Sequence, residues 1–230
     1  MWCARVILLL CLVPGITLAQ DSRPDAVSSP AIATASAALQ TLDSPRRGAF
    51  LVAPRAMGDP RFRHSIVFLV AHGAGGSLGL IVNRRGDIRL SETVPDLATD
   101  GTDYPLYFGG PVGLPMVLML ARGSAIPEGM ERISEEVYIS SEQPVLEAAL
   151  AASGDDLALR FYIGYAGWAP GQLDGELAQN GWHIIAGDAD AIFSDEPGEL
   201  WYRLIDRLEP PGLQAWQAPL LPRLAIVTTP

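Results

Sequence analysis

Lysine is absent from this sequence: all 16 basic residues are arginine, set against 26 acidic residues. Without lysine, neither Schiff-base catalysis nor the lysine of a Walker-type phosphate loop is possible. The formal net charge of −10 also disfavours nonspecific DNA binding, because an acidic surface repels a polyanion. We therefore do not expect nucleic acid as a partner.

Cysteine and histidine are also scarce. Cys3 and Cys11 both lie in an N-terminal segment that we expect to be removed, so the remaining chain has no disulfide and no thiolate nucleophile. The three histidines, His64, His72 and His183, include no pair three or four residues apart, which is the spacing of two zinc ligands on one helix. We expect neither a metal site nor a cofactor.

The first 19 residues have the pattern of a secretory signal peptide. Arg5 precedes an apolar run over residues 6–13, and Pro14-Gly15 follows it. Residues 17–19 place small side chains where a signal peptidase reads the chain, so we expect cleavage after Ala19 and a periplasmic or secreted protein. The alternative is an uncleaved membrane tether, although the run is shorter than the ~20 residues that span a bilayer.

The rest of the chain divides by composition into three parts. Residues 20–44 are rich in Ala, Ser and Pro and predict a linker, and residues 209–230 form a proline-rich tail. Residues 45–208 lie between them and carry the short apolar runs of a folded domain. We therefore predict one domain over residues 45–208.

Short β-rich runs outnumber helical patterns within this domain. We predict eight strands, at residues 49–53, 66–71, 79–83, 106–108, 116–120, 137–139, 158–165 and 183–186. Helical periodicity covers residues 144–152, 172–180 and 198–208, with Ser141 and Asp195 as capping candidates. Because several strands follow each other directly, the pattern predicts an α+β fold: a single compact domain with a mixed, barrel-like curved sheet flanked by a few helices.

One short motif suggests a serine hydrolase. Residues 75–79, GGSLG, match the G-x-S-x-G nucleophile pattern, and Ser77, Asp174 and His183 follow in the chain order of a catalytic triad. A nucleophile elbow needs a helix after its serine, whereas the apolar run after Ser77 predicts a strand. A glycine-rich hairpin between two strands fits these residues better, and the hydrolase is the alternative hypothesis.

Four separated segments together resemble the YqgE/AlgH family. These are GAFLVAPRAMGDPRFRHSIVFLVAH, GSLGLIVNRR, YFGGPV and GYAGWAPGQLDGEL, and NGWHII and ELWYRLIDRL fit the closing elements of that family. The resemblance spans about Arg47 to Leu208. It implies a compact α+β domain with a barrel-like sheet, from a bacterial family that is largely uncharacterised. It also implies a suggested role in transcriptional regulation and a cytoplasmic location, so these remain alternatives to export and to a binding role.

The segment GYAGWAPGQLDGEL, residues 164–177, predicts a tight corner between a strand and a helix. Pro170 precedes the helix start and Asp174 lies in its first turn, where an acidic residue complements the helix dipole. The corner is either purely structural or a binding site for a small molecule or a protein segment. The residues predicted to bind the ligand are Tyr165, Trp168, Gln172, His72, Asn83 and Gly110. Our leading hypothesis is a non-enzymatic binding or regulatory module.

The signal-peptide interpretation makes a direct prediction. In protein isolated from its own host, intact mass spectrometry should find a chain that begins at Gln20, because residues 17–19 present the cleavage site. An intact N-terminus on protein recovered from the cytoplasm would contradict export.

Overall fold

A computed structural model describes residues 39–97, 103–152, 154 and 156–211. The predicted signal peptide, residues 20–38 of the predicted linker and residues 212–230 of the predicted tail lie outside the described residues. Within the described part, ten strands and five helices are formed.

The strands in chain order are β1 (Ala49–Val52), β2 (Ile66–Gly73), β3 (Gly76–Ile81), β4 (Arg85–Arg89), β5 (Pro105–Phe108), β6 (Val112–Gly123), β7 (Glu131–Arg132), β8 (Tyr138–Ser140), β9 (Leu157–Trp168) and β10 (His183–Ala186). The helices are α1 (Leu90–Thr93), α2 (Gln143–Ala151), α3 (Gln172–Ala178), α4 (Ala189–Ile192) and α5 (Pro197–Leu208).

All ten strands belong to one curled sheet. The main path runs β10-β1-β2-β3-β9-β6-β8-β7, and β4 and β5 branch from β9. Neighbouring strands are antiparallel, except that β5 runs parallel to β9. The prediction of an α+β fold with a mixed, curved sheet is therefore confirmed.

Alternation along the strands separates the two faces of the sheet. On one face, Phe68 and Leu80 pack with Trp201 and Ile205 of α5. On the opposite face, Leu69 of β2 packs with α3, and further along the sheet the side chains of β6 and β9 pack with α2. Each face is thus covered by a different set of helices.

All eight predicted strands and all three predicted helices are present. The short elements β4, β7, α1 and α4 were not predicted, because each has four or five residues at most and carries little apolar periodicity. The predicted caps are wrong: Glu142 and Glu196 occupy the N-cap positions of α2 and α5. The hydroxyls of Ser140 and Ser194, two positions upstream of these N-cap residues, accept hydrogen bonds from the backbone N–H groups of Glu142 and Glu196, each at 3.2 Å.

The packed part of the chain begins upstream of residue 45. Thr41 forms a β-bridge with Ile185 of β10, and the Leu42 backbone N–H donates to the Ile184 carbonyl at 3.1 Å. The last residues of the predicted linker therefore pair with the sheet. Their alanine-poor but polar sequence gave no periodic signal of this pairing.

Strand β9 changes the phase of its alternation at Gly164. Tyr162 and Tyr165 are three residues apart, yet both side chains pack on the α5 face. Between them Gly164 has a left-handed φ of +67°, which glycine adopts without a steric penalty. The switch turns Ala166 and Trp168 toward the α3 face, where the corner begins.

Substituting Gly164 tests this phase change. A Cβ at this position would lie 2.5 Å from the Gly110 carbonyl oxygen, in addition to the unfavourable φ. We expect Gly164→Ala to lower the free energy of unfolding by about 3 kcal/mol in urea denaturation. As the matched control, Gly175→Ala lies in α3 with open space around its Cβ and should raise it by about 0.5–1 kcal/mol. Equal stabilities for the two variants would contradict the argument.

Candidate functional site

Three aromatic side chains meet beside the corner. Trp168 ends β9, Trp182 precedes β10, and Phe62 lies in the connection between β1 and β2. Phe62 stacks on Trp168 with ring centres 6.2 Å apart and meets the edge of Trp182 at 5.5 Å, while the two tryptophans are 6.1 Å apart. Both indoles are almost fully buried, at 6% and 5% exposure. The three rings form one rigid aromatic floor.

The carboxylate of Glu176 holds this floor in place. Its Oε2 accepts hydrogen bonds from the indole N–H groups of Trp168, at 3.0 Å, and Trp182, at 2.8 Å. Its Oε1 accepts from the Gln172 side chain at 2.9 Å. Hydrogen bonds to an ionised acceptor are stronger than neutral ones. One half-buried carboxylate therefore satisfies both indoles and fixes the orientation of both rings.

A groove of about 410 Å³ opens above the aromatic floor. Besides the three rings, its lining includes Asp59 and Arg61, Pro111 and Val112 beside β6, and Gln172 and Glu176 of α3. Arg61 is 64% exposed and hydrogen-bonds to Asp59, which lowers the pKa of the Asp59 carboxyl. The groove thus combines an apolar base with polar groups of both charges on its rim.

A tight turn precedes the start of α3. Gly171 takes the N-cap position with a left-handed φ of +73°, and Pro170 precedes it. The Gln172 side-chain oxygen accepts a hydrogen bond from the Ala169 backbone N–H at 3.1 Å. The helix has seven residues. The corner therefore positions Gln172 and Glu176 toward the groove.

Two of the six predicted ligand-binding residues, Trp168 and Gln172, line the groove. Gly110 lies against the β9 backbone, where a Cβ would come 2.2 Å from the Tyr165 carbonyl carbon. The Tyr165 ring turns to the opposite face of the sheet and covers Gly113. Gly110 and Tyr165 therefore shape the backbone around the groove and do not line it.

Asn83 has a structural role. Its side-chain oxygen accepts from the Ile66 backbone N–H and its amide nitrogen donates to the His64 carbonyl, both at 2.8 Å. Both polar groups of this buried amide are therefore occupied. Asn83 joins the end of β3 to the start of β2 and is not part of the groove.

The structure brings Ser77 and Asp174 close to His72 and not to His183. The His72 Nδ1 lies 2.8 Å from the Ser77 hydroxyl, and its Nε2 lies 4.0 Å from an Asp174 carboxylate oxygen. Ser77 and His72 are directly opposite each other in the β2–β3 hairpin. Their hydrogen bond is a cross-strand pair of the hairpin that was predicted for these residues.

His183 lies elsewhere in the sheet. Its Nε2 contacts Glu209 at 2.6 Å, and strands β1 and β2 separate its strand β10 from the strand of Ser77. This spacing puts the two residues at least ~14 Å apart across the sheet. The predicted Ser77, Asp174 and His183 constellation therefore does not form, because chain order does not decide which strands are neighbours.

Sequence reasoning missed most of the groove. Phe62, Trp182 and Arg61 come from segments remote in sequence, and none of them, nor Glu176, is among the predicted ligand-binding residues. A signal existed for Glu176: it falls on the other side of α3 from Asp174, which faces His72. Residues two apart on a helix point to different sides, so Glu176 had to face away from Asp174. Buried tryptophans need an acceptor for the indole N–H, and Glu176 lies between Trp168 and Trp182 in the sequence.

Over residues 39–97, 103–152, 154 and 156–211, no helix has the length and apolar character needed to cross a membrane. The same part of the chain contains no group of three or more His, Cys, Asp or Glu side chains arranged to hold a metal ion.

Family, sequence and structure comparisons all relate this chain to AlgH-like proteins. The model of the AlgH-like family, DUF179, matches residues 50–211. A UPF0301 protein of Methylococcus capsulatus is 36% identical over 158 residues, which are 67% of this chain and 86% of that protein. The solution structure of the AlgH protein from Pseudomonas aeruginosa matches with a TM-score of 0.58 and 29% identity, covering 78% of this chain and 97% of that one.

A crystal structure of a Corynebacterium diphtheriae protein shares the fold, with a TM-score of 0.61 at 20% identity over 76% of this chain and 93% of that one. None of these three names states a biochemical activity.

The role of Glu176 yields a prediction. Glu176→Gln removes the charge that accepts both indole N–H groups and leaves a weaker acceptor between them. We expect it to lower the free energy of unfolding by about 2 kcal/mol, measured by urea denaturation. The control Glu128→Gln neutralises an exposed carboxylate and should change it by less than about 0.5 kcal/mol. A Glu176→Gln protein as stable as the control would contradict the bridging role.

Proposed function

The chain belongs to the AlgH-like family, and on that premise we propose that it is a non-enzymatic binding module whose site is the aromatic groove. The observation that carries the proposal is the pair of buried indoles fixed by one carboxylate beneath an open groove. A surface whose side chains are already locked loses little conformational entropy when a ligand binds.

The groove lining favours a ligand with a planar or apolar group. Phe62 is partly exposed and the two indoles contribute small exposed areas, and such aromatic surface binds rings and apolar groups through dispersion and hydrophobic contact. Arg61 on the rim is exposed and can donate to a carboxylate or carbonyl of the same ligand. A small aromatic or apolar molecule with one acceptor, or a peptide side chain of that kind, satisfies both features.

Exposed apolar residues continue from the groove along β6. Val112 lines the groove and is 41% exposed, and Leu114 and Met116 further along the strand are 55% and 49% exposed. Exposed apolar residues that are continuous with a groove are a feature of protein interaction sites. This continuation favours a ligand that extends beyond the groove, as a segment of another protein does.

The two other proposed activities receive less support. Ser77 lies in a regular strand pair, its histidine contact is to Nδ1, and Asp174 is 57% exposed at 4.0 Å from the ring, so the arrangement gives no support to a serine hydrolase. A role in transcriptional regulation rests on the family resemblance and would act through a protein or small-molecule partner, given the acidic chain. Export after cleavage at Ala19 remains part of the proposal.

A substitution at the mouth of the groove tests the proposal. Protein purified gently from its own host should carry an extra mass in its native mass spectrum. Val112→Arg introduces a charged side chain at the groove mouth without touching the aromatic floor, and we expect it to reduce the bound fraction by roughly tenfold.

Ile88→Arg is the matched control. Ile88 is a β4 residue that is 50% exposed and outside the groove lining, so this variant should keep the extra mass. A bare mass in the wild type, or an extra mass that Val112→Arg retains, would contradict binding in the groove.

A further inference from the structure

The last described residues of the chain lie next to the groove. Glu209 contacts the His183 Nε2 at 2.6 Å and accepts from the Arg55 backbone N–H at 3.3 Å. Trp182 directly precedes His183, and Met57 follows Arg55 by two residues, and both line the groove. Residues 212–230, which lie outside the described residues, therefore continue from a point close to the groove.

The sequence of residues 212–230, GLQAWQAPLLPRLAIVTTP, is rich in apolar side chains. Trp216, Leu220 and Leu221 are among them, and burying such side chains is favourable. The match to the AlgH-like family covers residues 50–211, so these residues lie beyond the part of the chain that matches the family. They bring apolar surface that this chain has in addition to the family domain.

The chain is long enough to bring these residues into the groove. Helix α5 covers one face of the sheet and the groove lies on the other, so the chain must pass around the end of the sheet. Opposite faces with their packed layers are on the order of 10 Å apart. Pro219 follows Glu209 by ten residues, and ten extended residues span up to ~33 Å.

The proline spacing suits an aromatic groove. Pro219 and Pro222 are three residues apart, and a polyproline II segment has three residues per turn, so both rings lie on one side of it. Grooves lined by aromatic side chains are the surfaces that bind such segments. The carbonyls of a polyproline II segment have no internal hydrogen bonds, and the exposed Arg61 on the groove lining can donate to one of them.

The charges of the groove and of this segment are complementary. The groove lining carries two carboxylates, Asp59 and Glu176, and one arginine, Arg61. Residues 212–230 contain one basic residue, Arg223, and no acidic residue. Arg223 directly follows Pro222, so a segment with its prolines on the aromatic floor brings a positive charge to a lining of net negative charge.

We propose that residues 219–223 bind in the groove of the same molecule and occupy it until an external ligand displaces them. Pro219 and Pro222 pack on the aromatic floor and Arg223 lies beside the carboxylates of the lining. Because the chain tethers this segment beside the groove, its effective concentration is in the millimolar range, and a small contact area is sufficient. The inference rests on the proposed function, since it takes the groove as a binding site.

Disulfide trapping in the full chain tests this contact. Cys3 and Cys11 are replaced by serine, and Val112→Cys in the groove is combined with Leu220→Cys. A disulfide forms only when the two Cβ atoms approach to about 4 Å. We expect this pair to form an intramolecular disulfide roughly tenfold faster than Ile88→Cys with Leu220→Cys, because Ile88 is similarly exposed but outside the groove lining.

A second comparison keeps the two thiols and the chain length fixed. Pro219→Ser and Pro222→Ser are added to the chain with Val112→Cys and Leu220→Cys, which removes the rigid segment. The rate of disulfide formation should then fall to that of the Ile88 pair. A rate that the two serines leave unchanged, equal rates for the Val112 and Ile88 pairs, or a product of twice the monomer mass would overturn the proposal.

Native mass spectra separate the failure of this inference from the failure of the proposed function. An extra mass that Val112→Arg removes, together with no preferred disulfide, overturns the docking of residues 219–223 and leaves the groove as a binding site. A bare mass together with no preferred disulfide overturns both. A preferred disulfide that depends on Pro219 and Pro222 supports the inference, whichever mass is found.

Discussion

The close backbone contact at Gly109 is the constraint on which the sheet depends. Strands β3 and β9 pair over three residues and then diverge. Where the two strands diverge, Gly109 lies between them. Its carbonyl accepts from the Ile81 backbone N–H of β3 at 2.8 Å, and its N–H donates to the Ile163 carbonyl of β9 at 2.9 Å. A Cβ on Gly109 would lie 2.3 Å from the Gly164 carbonyl oxygen, so any side chain there would force the strands apart. This contact links β5 to both neighbours and curves the sheet.

The corner after β9 follows from the same constraint. Gly164 accommodates the close approach and changes the phase of β9, so that Trp168 reaches the α3 face while Tyr165 stays on the other. Glu176 then joins Trp168 to Trp182 through one carboxylate. The glycine and aromatic residues of the corner therefore have structural roles, whether or not the groove binds a ligand. The groove is formed because this rigid assembly meets Arg61 and Val112 at the surface.

A charged side chain is enclosed on each face of β9, a carboxylate on one face and a guanidinium on the other. On the α3 face, the half-buried carboxylate of Glu176 receives three donors and is well satisfied. On the α5 face, the buried guanidinium of Arg160 donates to the Ser194 carbonyl and lies against the rings of Tyr107 and Phe193, and no carboxylate of the described residues forms an ion pair with it. Charged groups in an interior stabilise a fold when their bonds are complete and destabilise it when they are not. The first arrangement supports a preformed groove.

Local pattern was sufficient for the longer strands and helices of this fold and not for its short elements. Alternation and turn residues located the longer strands and helices, the hairpin at Ser77 and the corner at Trp168, because these depend on neighbours in sequence. Lysine and cysteine content likewise excluded whole classes of chemistry. Only the tertiary structure decided which strands meet. It paired Ser77 with His72 and not His183, and it brought Phe62 and Trp182 to Trp168. Such contacts join segments far apart in the chain, and no local periodicity encodes them.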